Sequence, residues 1–508
     1  MVEELKWTTV TAKEVEVAKF RLEASVFKID ARAAHDRAVN SKYGSVKLWS
    51  KKGLVLNAYY PGRFKRVYVN KENGYPMILP SQMTSIKPAA TKFISKKNKY
   101  DILKLVPNTL LLTRSGTIGA CTIVTKTLAG KTMSDDVIRI SFKDIVDLGY
   151  TYAFLRTKTG QLTLSTSKYG SVIKHIEPEH LEDIDIPNAT DVIKKSVHEK
   201  IVNSFNLRDM SNELLDEAEQ LLIKTLKLPL VDKLLPDFFD SEFDVQNYLV
   251  PLNQLNDRFD GSYHIPIVNS IIDCLLDNAE KILPLGSSKV TSQIILPGRF
   301  KRHYVEEETG TIFLGGKQIH ELDPSNKKYL SIKQHGSRID KQLFLKENMI
   351  AITCSGTIGR VNLIPKHWEN WTMNQHVMRA VPIDENIAGY LFVWLNSEYG
   401  KILIVRHTYG SVVDEIDSSH LSQVQIPILT DKSIMEKINN LALEANKLRS
   451  KAYHLEQEAI KEINEKVIFS DDSVKGLTDE ELIAKYGKLK SVNVEKMVKK
   501  ALKAGQSK

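Results

Sequence analysis

Between residues 434 and 459 the apolar positions fall at Ile434, Ile438, Leu441, Ala445, Leu448, Ala452, Leu455 and Ala459, with steps of four and three in strict alternation. A seam of that period predicts a long helix whose stripe packs on another helix. A less regular stripe, Val197, Ile201, Phe205, Met210, Leu214, Ala218 and Leu221, predicts a second long helix earlier in the chain. Neither stretch contains Pro or Gly, so nothing interrupts either helix. Elsewhere short apolar runs run into turns rich in Ser and Gly: LLLTRSGTIG at 110–119 and IAITCSGTIG at 350–359. Runs of that length ending in glycines read as strands entering tight turns. The expected class is α+β, mixed strands and helices with two long helices added.

The two SGTIG turns belong to a duplication. PGRFKRVYV at 61–69 returns as PGRFKRHYV at 297–305, an interval of 236, and RLEAS at 21–25 has a looser echo in RFDGS at 258–262. KTMSDDVIR at 131–139 and WTMNQHVMR at 371–379, KYGSV at 168–172 and TYGSV at 408–412, and EHLEDIDIP at 179–187 and SHLSQVQIP at 419–427 are each 240 apart. Five matches in one order define two similar globular domains, 1–190 and 258–430, each followed by a long helix, 191–226 and 431–467. A linker at 227–257 joins them, and a basic tail at 468–508 closes the chain. Two readings of the helices stand open. They pair with one another as an antiparallel coiled coil, with the globular parts at opposite ends of a rod, or each packs on its own domain. Ala-rich heptads favour the first. The stretches 89–100 and 322–339 show no useful match, so a shared frame carries differing loops.

Composition narrows the chemistry. Lys and Arg number 71 against 62 acids, a net charge of +9 over 508 residues, which fits a polyanion-binding surface without requiring one. Cys121, Cys274 and Cys354 form no CxxC pair, which excludes a disulfide framework or Cys-built zinc site. No run reaches the ~18–20 apolar residues of a membrane span, and the N-terminus lacks a signal-peptide core; a soluble, cytoplasmic protein without membrane contact is expected. LAGKT at 128–132 matches the end of a phosphate-binding loop, but the required earlier glycine is Thr125. PDFFDSEFD at 236–244 has a nuclease-like Pro-Asp with no acid-x-Lys to follow. There is no HExxH, no GxSxG and no FxGxG with an Asn/Asp-Pro-Pro-aromatic partner. Catalytic residues, metal ligands and a cofactor site in this chain are therefore not expected.

What recurs is basic. Arg63, Lys65 and Arg66, and again Arg299, Lys301 and Arg302, flank a Phe after a Pro-Gly turn. Such groups reach phosphates, and Arg also pairs guanine bidentately. Lys42, Lys47, Lys51, Lys52 and KKNK at 96–99 add charge near the first copy; Lys327, Lys328, Lys333 and Arg338 do so near the second. Arg114 precedes the first SGTIG and is matched by Cys354, so a direct role there belongs to the first domain alone. Tyr169 and Tyr409, in the YGS segments, read equally as turn residues at a DNA-facing edge or as core packing.

With the SGTIG strand-turn, the YGS segment, the HLxxIxIP close and the long helix in order, twice, the chain resembles the DNA-specificity (S) subunits of type I restriction–modification systems over most of 21–467. The resemblance implies two target-recognition domains, each reading one half of a split, asymmetric double-stranded DNA target. It implies an antiparallel helical spacer fixing the gap, and DNA adenine methyltransferase subunits, two per chain, that bring S-adenosylmethionine. A restriction or translocase subunit is a further candidate partner. The DNA-contact set is Arg63, Lys65, Arg66, Arg114, Tyr169, Arg299, Lys301, Arg302 and Tyr409. The alternatives are a scaffold of a related phage-defence complex and a stand-alone nuclease or modification enzyme. The segments after IP, NATDVIKK and ILTDKSIM, depart from the family's usual helix start, and the basic tail has no family role.

Overall fold

The computed structural model describes residues 10–469, apart from 18–19, 21, 23–25, 98–99, 116–117, 167–174, 235–247, 256–257, 325 and 411. Contacts divide the chain into two units, one of residues 1–84, 89–202 and 456–508, the other of 85–88 and 203–455. Each unit takes part of both long helices.

The same three sheets occur in each unit. In the first, Val55–Tyr59, Val137–Phe142, Leu110–Thr113 and Cys121–Ile123 lie side by side in that order, antiparallel throughout. In the second, Thr291–Ile295, Val377–Pro382, Ile350–Thr353 and Val361–Leu363 repeat the order. Leu111 faces Arg139 across one ladder and Ala351 faces Arg379 across the other. Even the register irregularity recurs, between Val55 and Asn57 and between Thr291 and Gln293. All four residues of Leu110–Thr113 and of Ile350–Thr353 are buried, as expected for an inner strand covered on both faces.

A smaller sheet follows. Tyr68–Val69, Lys92–Ser95, Gly74–Ile78 and Thr132–Met133 form one copy; Tyr304–Val305, Tyr329–Ser331, Gly310–Leu314 and Thr372–Met373 form the other. The strands Lys92–Ser95 and Tyr329–Ser331 hold the same place, so the stretches without sequence match are only partly divergent. Their first halves build one strand, and the units part company after Ser95 and Ser331. The third sheet pairs Ser45–Lys47 with Asp185–Pro187, and Lys281–Pro284 with Gln425–Ile428.

The strands Val137–Phe142 and Val377–Pro382 lead into the helices Ile145–Arg156 and Glu385–Asn396, each opened by an aspartate. The Asp144 carboxylate accepts from the Val146 amide and Asp384 from the Asn386 amide, at 2.9 and 2.8 Å, which satisfies a first-turn donor. Nine of the twelve residues of each helix are buried, so the pattern is apolar all round rather than striped. Gly149 and Gly389 permit the close packing. A Cβ on Gly389 would stand 2.3 Å from the Asn439 carbonyl oxygen, and one on Gly149 2.8 Å from the Cα of His198.

The long helices run Asp191–Thr225 and Lys432–Ile463, roughly 52 and 48 Å at ~1.5 Å per residue. They are antiparallel. In the first unit the Ser196 hydroxyl and Lys200 ammonium donate to Glu462, at 2.9 and 2.7 Å. In the second, Ser204 donates to the Ala452 carbonyl at 2.7 Å and Lys437 pairs with Glu217 at 2.9 Å. Residue numbers rise on one helix as they fall on the other. The heptad positions Ile438, Ala445, Leu448, Ala452 and Ala459 are buried, but so is a second, polar face. In the second unit the Asn439 side chain accepts from the Gly389 and Tyr390 amides, and the Asn446 side-chain amide donates to the Ile364 carbonyl. In the first unit Glu456 accepts from Tyr152 and Arg156, both at 3.0 Å. The helices pair, and each also lies on strands and helices of a unit.

The two starts differ by one residue. Thr190 accepts from the Ile193 amide at 3.4 Å, whereas Asp431 accepts from the Ser433 and Ile434 amides at 2.9 and 3.3 Å.

Candidate nucleic-acid interface

PGRFKR links the edge strand of the larger sheet to the first strand of the smaller one in both units. The chain there is extended, so side chains alternate. Phe64 goes inward to Met77, Ile94 and Leu103, and Phe300 to Phe313, Leu330 and Leu343. Arg63, Lys65, Arg299 and Lys301 are left exposed. The third cation turns back. Arg66 donates to Asp135 at 2.7 Å and to Asp136 at 3.3 Å. Its counterpart Arg302 donates to the neutral Gln375 carboxamide oxygen at 2.8 Å. The Arg302 guanidinium thus meets a neutral group where Arg66 meets carboxylates, and it lies 5.7 Å over the Phe313 ring.

The SGTIG serines join this segment through carboxylates. Ser115 donates to Asp136 at 2.9 Å, and Asp136 receives Arg66. Ser355 donates to Glu415 at 3.5 Å, and Glu415 receives Arg299 at 3.4 Å. Burial opposes ionisation of Asp136, yet bonds from Ser115, Ser134 and Arg66 hold its carboxyl below the usual range. The Arg299 side chain is 82 % exposed. An ion pair so open is worth at most ~1 kcal/mol, so a phosphate can replace Glu415 at little cost.

The turns themselves are frame. Gly356 and Gly359 have φ of 75° and 78°, the left-handed region that glycine enters freely. The Gly356 amide donates to the Asp414 carbonyl and the Ile416 amide to Cys354, both within 3.0 Å, which ties the turn to the segment after TYGSV. Gly119 repeats the positive φ at 95°, and Ser115 bridges to His175.

The remaining candidates divide. Arg114, expected at the DNA, is 8 % exposed and forms a two-pronged bond to Glu177, at 3.0 and 2.5 Å, beneath the Tyr60 ring. A buried guanidinium matched by a carboxylate fork acts as a structural clamp. Tyr409 exchanges backbone bonds with Glu415 across a tight hairpin, and its half-exposed ring lies 5.1 Å from that of His420; it is a turn residue at an open edge. Tyr169 lies outside the described residues. Lys47 and Lys327 are engaged by Asp185 and Asp323, at 2.8 and 2.5 Å.

Burial pushes both Cys121 and Cys354 up to about 12, leaving thiols and not thiolates near neutrality. Among the described residues no His, Cys, Asp and Glu cluster could hold a metal ion, and no helix is long and apolar enough to cross a membrane.

Apart from Arg338, sequence reasoning missed one group of residues. Gln334, His335, Ser337, Arg338, Lys341 and Gln342 line an open cleft of about 320 Å³ beside the second PGRFKR. The signal was present as the drift of the repeat interval from 236 to 240, which marks four extra residues.

Residues 307–453 match the type I restriction modification DNA specificity domain. No curated protein sequence matches the chain. It is similar to the crystal structure of the S subunit of a type I restriction–modification system from M. genitalium, at 12 % identity over 87 % of this chain and 100 % of that one, with a TM-score of 0.25. It is also similar to the HsdS subunit from Thermoanaerobacter tengcongensis, at 14 % identity over 82 % and 95 %, with a TM-score of 0.24. At those TM-scores neither likeness carries an argument, and the matched domain alone bears on function. Residues 307–453, in the second unit, thus carry the type I restriction modification DNA specificity domain, and the frame of that unit is repeated strand for strand in the first.

Proposed function

We propose that the chain directs a DNA adenine methyltransferase to a split, asymmetric target, each unit contacting one half-site. The observation that carries this is the pairing of a common frame with exposed cations, Arg63 and Lys65 in one unit and Arg299 and Lys301 in the other, beside segments that differ between the units. Phosphate contacts hold a protein in register without carrying sequence information, so they suit the repeated motif. Base readout needs side chains peculiar to each half-site, so it suits the divergent segment. S-adenosylmethionine belongs to the methyltransferase partner, two such subunits are expected per chain, and a restriction subunit can join the same assembly.

The test is the methylome of the host with this chain deleted. One bipartite adenine-methylated motif should vanish and return on complementation. If every modified motif survives, the reading fails.

A further inference from the structure

The units follow one another until Ser95 and Ser331 and rejoin at Leu103 and Leu343. Between those points the first has seven residues, 96–102, and the second eleven, 332–342. The extra length forms the helix Ile332–Arg338 and a wide turn, Ile339–Leu343. Every side chain lining the resulting cleft, from Gln334 to Gln342, is polar or charged. Ile339, on the same insertion, packs against Phe313, Leu330 and Leu343 and does not line the cleft.

The helix is fastened to the repeated basic motif. Arg338 donates to the Gly298 carbonyl at 3.4 Å and lies 4.8 Å over the Phe300 ring. His335 accepts from the His303 amide at 3.2 Å, its ring 5.2 Å from Phe300. Arg338 also donates to the Gln342 carboxamide oxygen at 2.9 Å. Arg338, His335 and Gln342 are thereby fixed. Gln334 and Lys341 are exposed, and among the described residues their side chains make no hydrogen bond or ion pair. Both stand on a helix and turn held against the cations that would grip the phosphates.

We propose that Gln334 and Lys341 read base edges in the half-site of the second unit, with Arg338 and Phe300 positioning them. A carboxamide pairs with adenine N6 and N7, and an ammonium with guanine O6 and N7. This inference rests on the DNA-recognition reading above.

The experiment selects duplexes from a randomised pool with the full-length chain and the subunits that co-purify with it, and sequences the captured DNA. Gln334→Ala and Lys341→Ala are compared with the unchanged chain and with Arg299→Ala. Each reader variant should lose preference at one base pair of one half-site by roughly 5- to 150-fold, with the other half-site and the salt dependence unchanged. Arg299→Ala should weaken capture of all sequences alike. Reader variants that keep every preference, or lose affinity uniformly, overturn this inference alone. An unchanged chain that selects no sequence overturns the recognition reading with it. Both side chains are exposed, so folding is not at risk, and Gln334→Glu gives a second check: it should move the preferred base from adenine towards cytosine.

Discussion

Ser115 and Ser355 occupy one place in the repeat but complete different networks. The first unit has Asp136 and His175 where the second has His376 and Glu415. The carboxylate has changed sides, and the arginine it holds changes with it, Arg66 in one and Arg299 in the other. The exposed cations remain in both. Replacing Arg299 and Lys301 with alanine should lower DNA affinity and reduce the salt slope by about one per lost phosphate contact, read from binding titrations at several salt concentrations. Arg114 predicts the opposite profile. Arg114→Ala removes the cation facing Glu177 in a mostly buried site, so it should cost ~3 kcal/mol in urea unfolding and leave base preference alone. His35 has a pH consequence. Bonds to Asp185 and then Asp36 outweigh burial and raise it from 6.5 to about 9. Its contribution is complete below pH 6.5 and is lost as pH rises through 9. With the side chain 45 % exposed, solvent screening limits it to ~1 kcal/mol. The melting difference between the parent chain and His35→Gln should therefore shrink from pH 6 to pH 10. Apart from that of the adjacent His35 and Asp36, these partnerships were not legible beforehand, because they join residues distant in sequence. Arg114 and Glu177 are 63 apart, and a lone Arg before a glycine turn looks like a phosphate ligand whether or not an acid awaits it.

At the scale of elements, the repeat made the frame readable. SGTIG, PGRFKR and the IP close fall at equivalent strand ends, and the long helices follow their apolar periods. The second buried face of the later helix was hidden because its residues are polar: Asn439, Asn446, Arg449 and Glu456 look solvated in a heptad plot. They are buried because strands and helices bring carbonyls, amides and hydroxyls to meet them. The contact of Asn439 with Glu385–Asn396 depends on Gly389. Gly389→Ala would push the new methyl into a backbone oxygen at 2.3 Å, with an expected cost of ~3 kcal/mol and a lower melting temperature. Gly62→Ala, with nothing within 4 Å of the added carbon, is the neutral control.

For the whole molecule the acid limit lies in the second unit. Burial pushes His320 and His367 down to about 4 and His407 to about 3. Below pH 6.5 the unfolded chain takes up protons that these folded sites refuse, so stability falls as pH drops from 6.5 towards 4, by up to about 1.4 kcal/mol per pH unit for each group. Trp368, Trp371 and Trp394 are buried in the same unit, so their fluorescence in urea should show the midpoint falling over that range. A flat midpoint between pH 7 and pH 4.5 would contradict the burial of these rings. Sequence by itself determined the duplication, the strands and turns of each copy, the long helices and the basic motif, since periodicity and repetition are local or self-referential properties of a chain. Tertiary structure alone decided which cations stay open to a phosphate, which are neutralised, and where four extra residues became a polar cleft. Those outcomes depend on which distant group arrives within three or four ångströms, a distance that no pattern along the chain encodes.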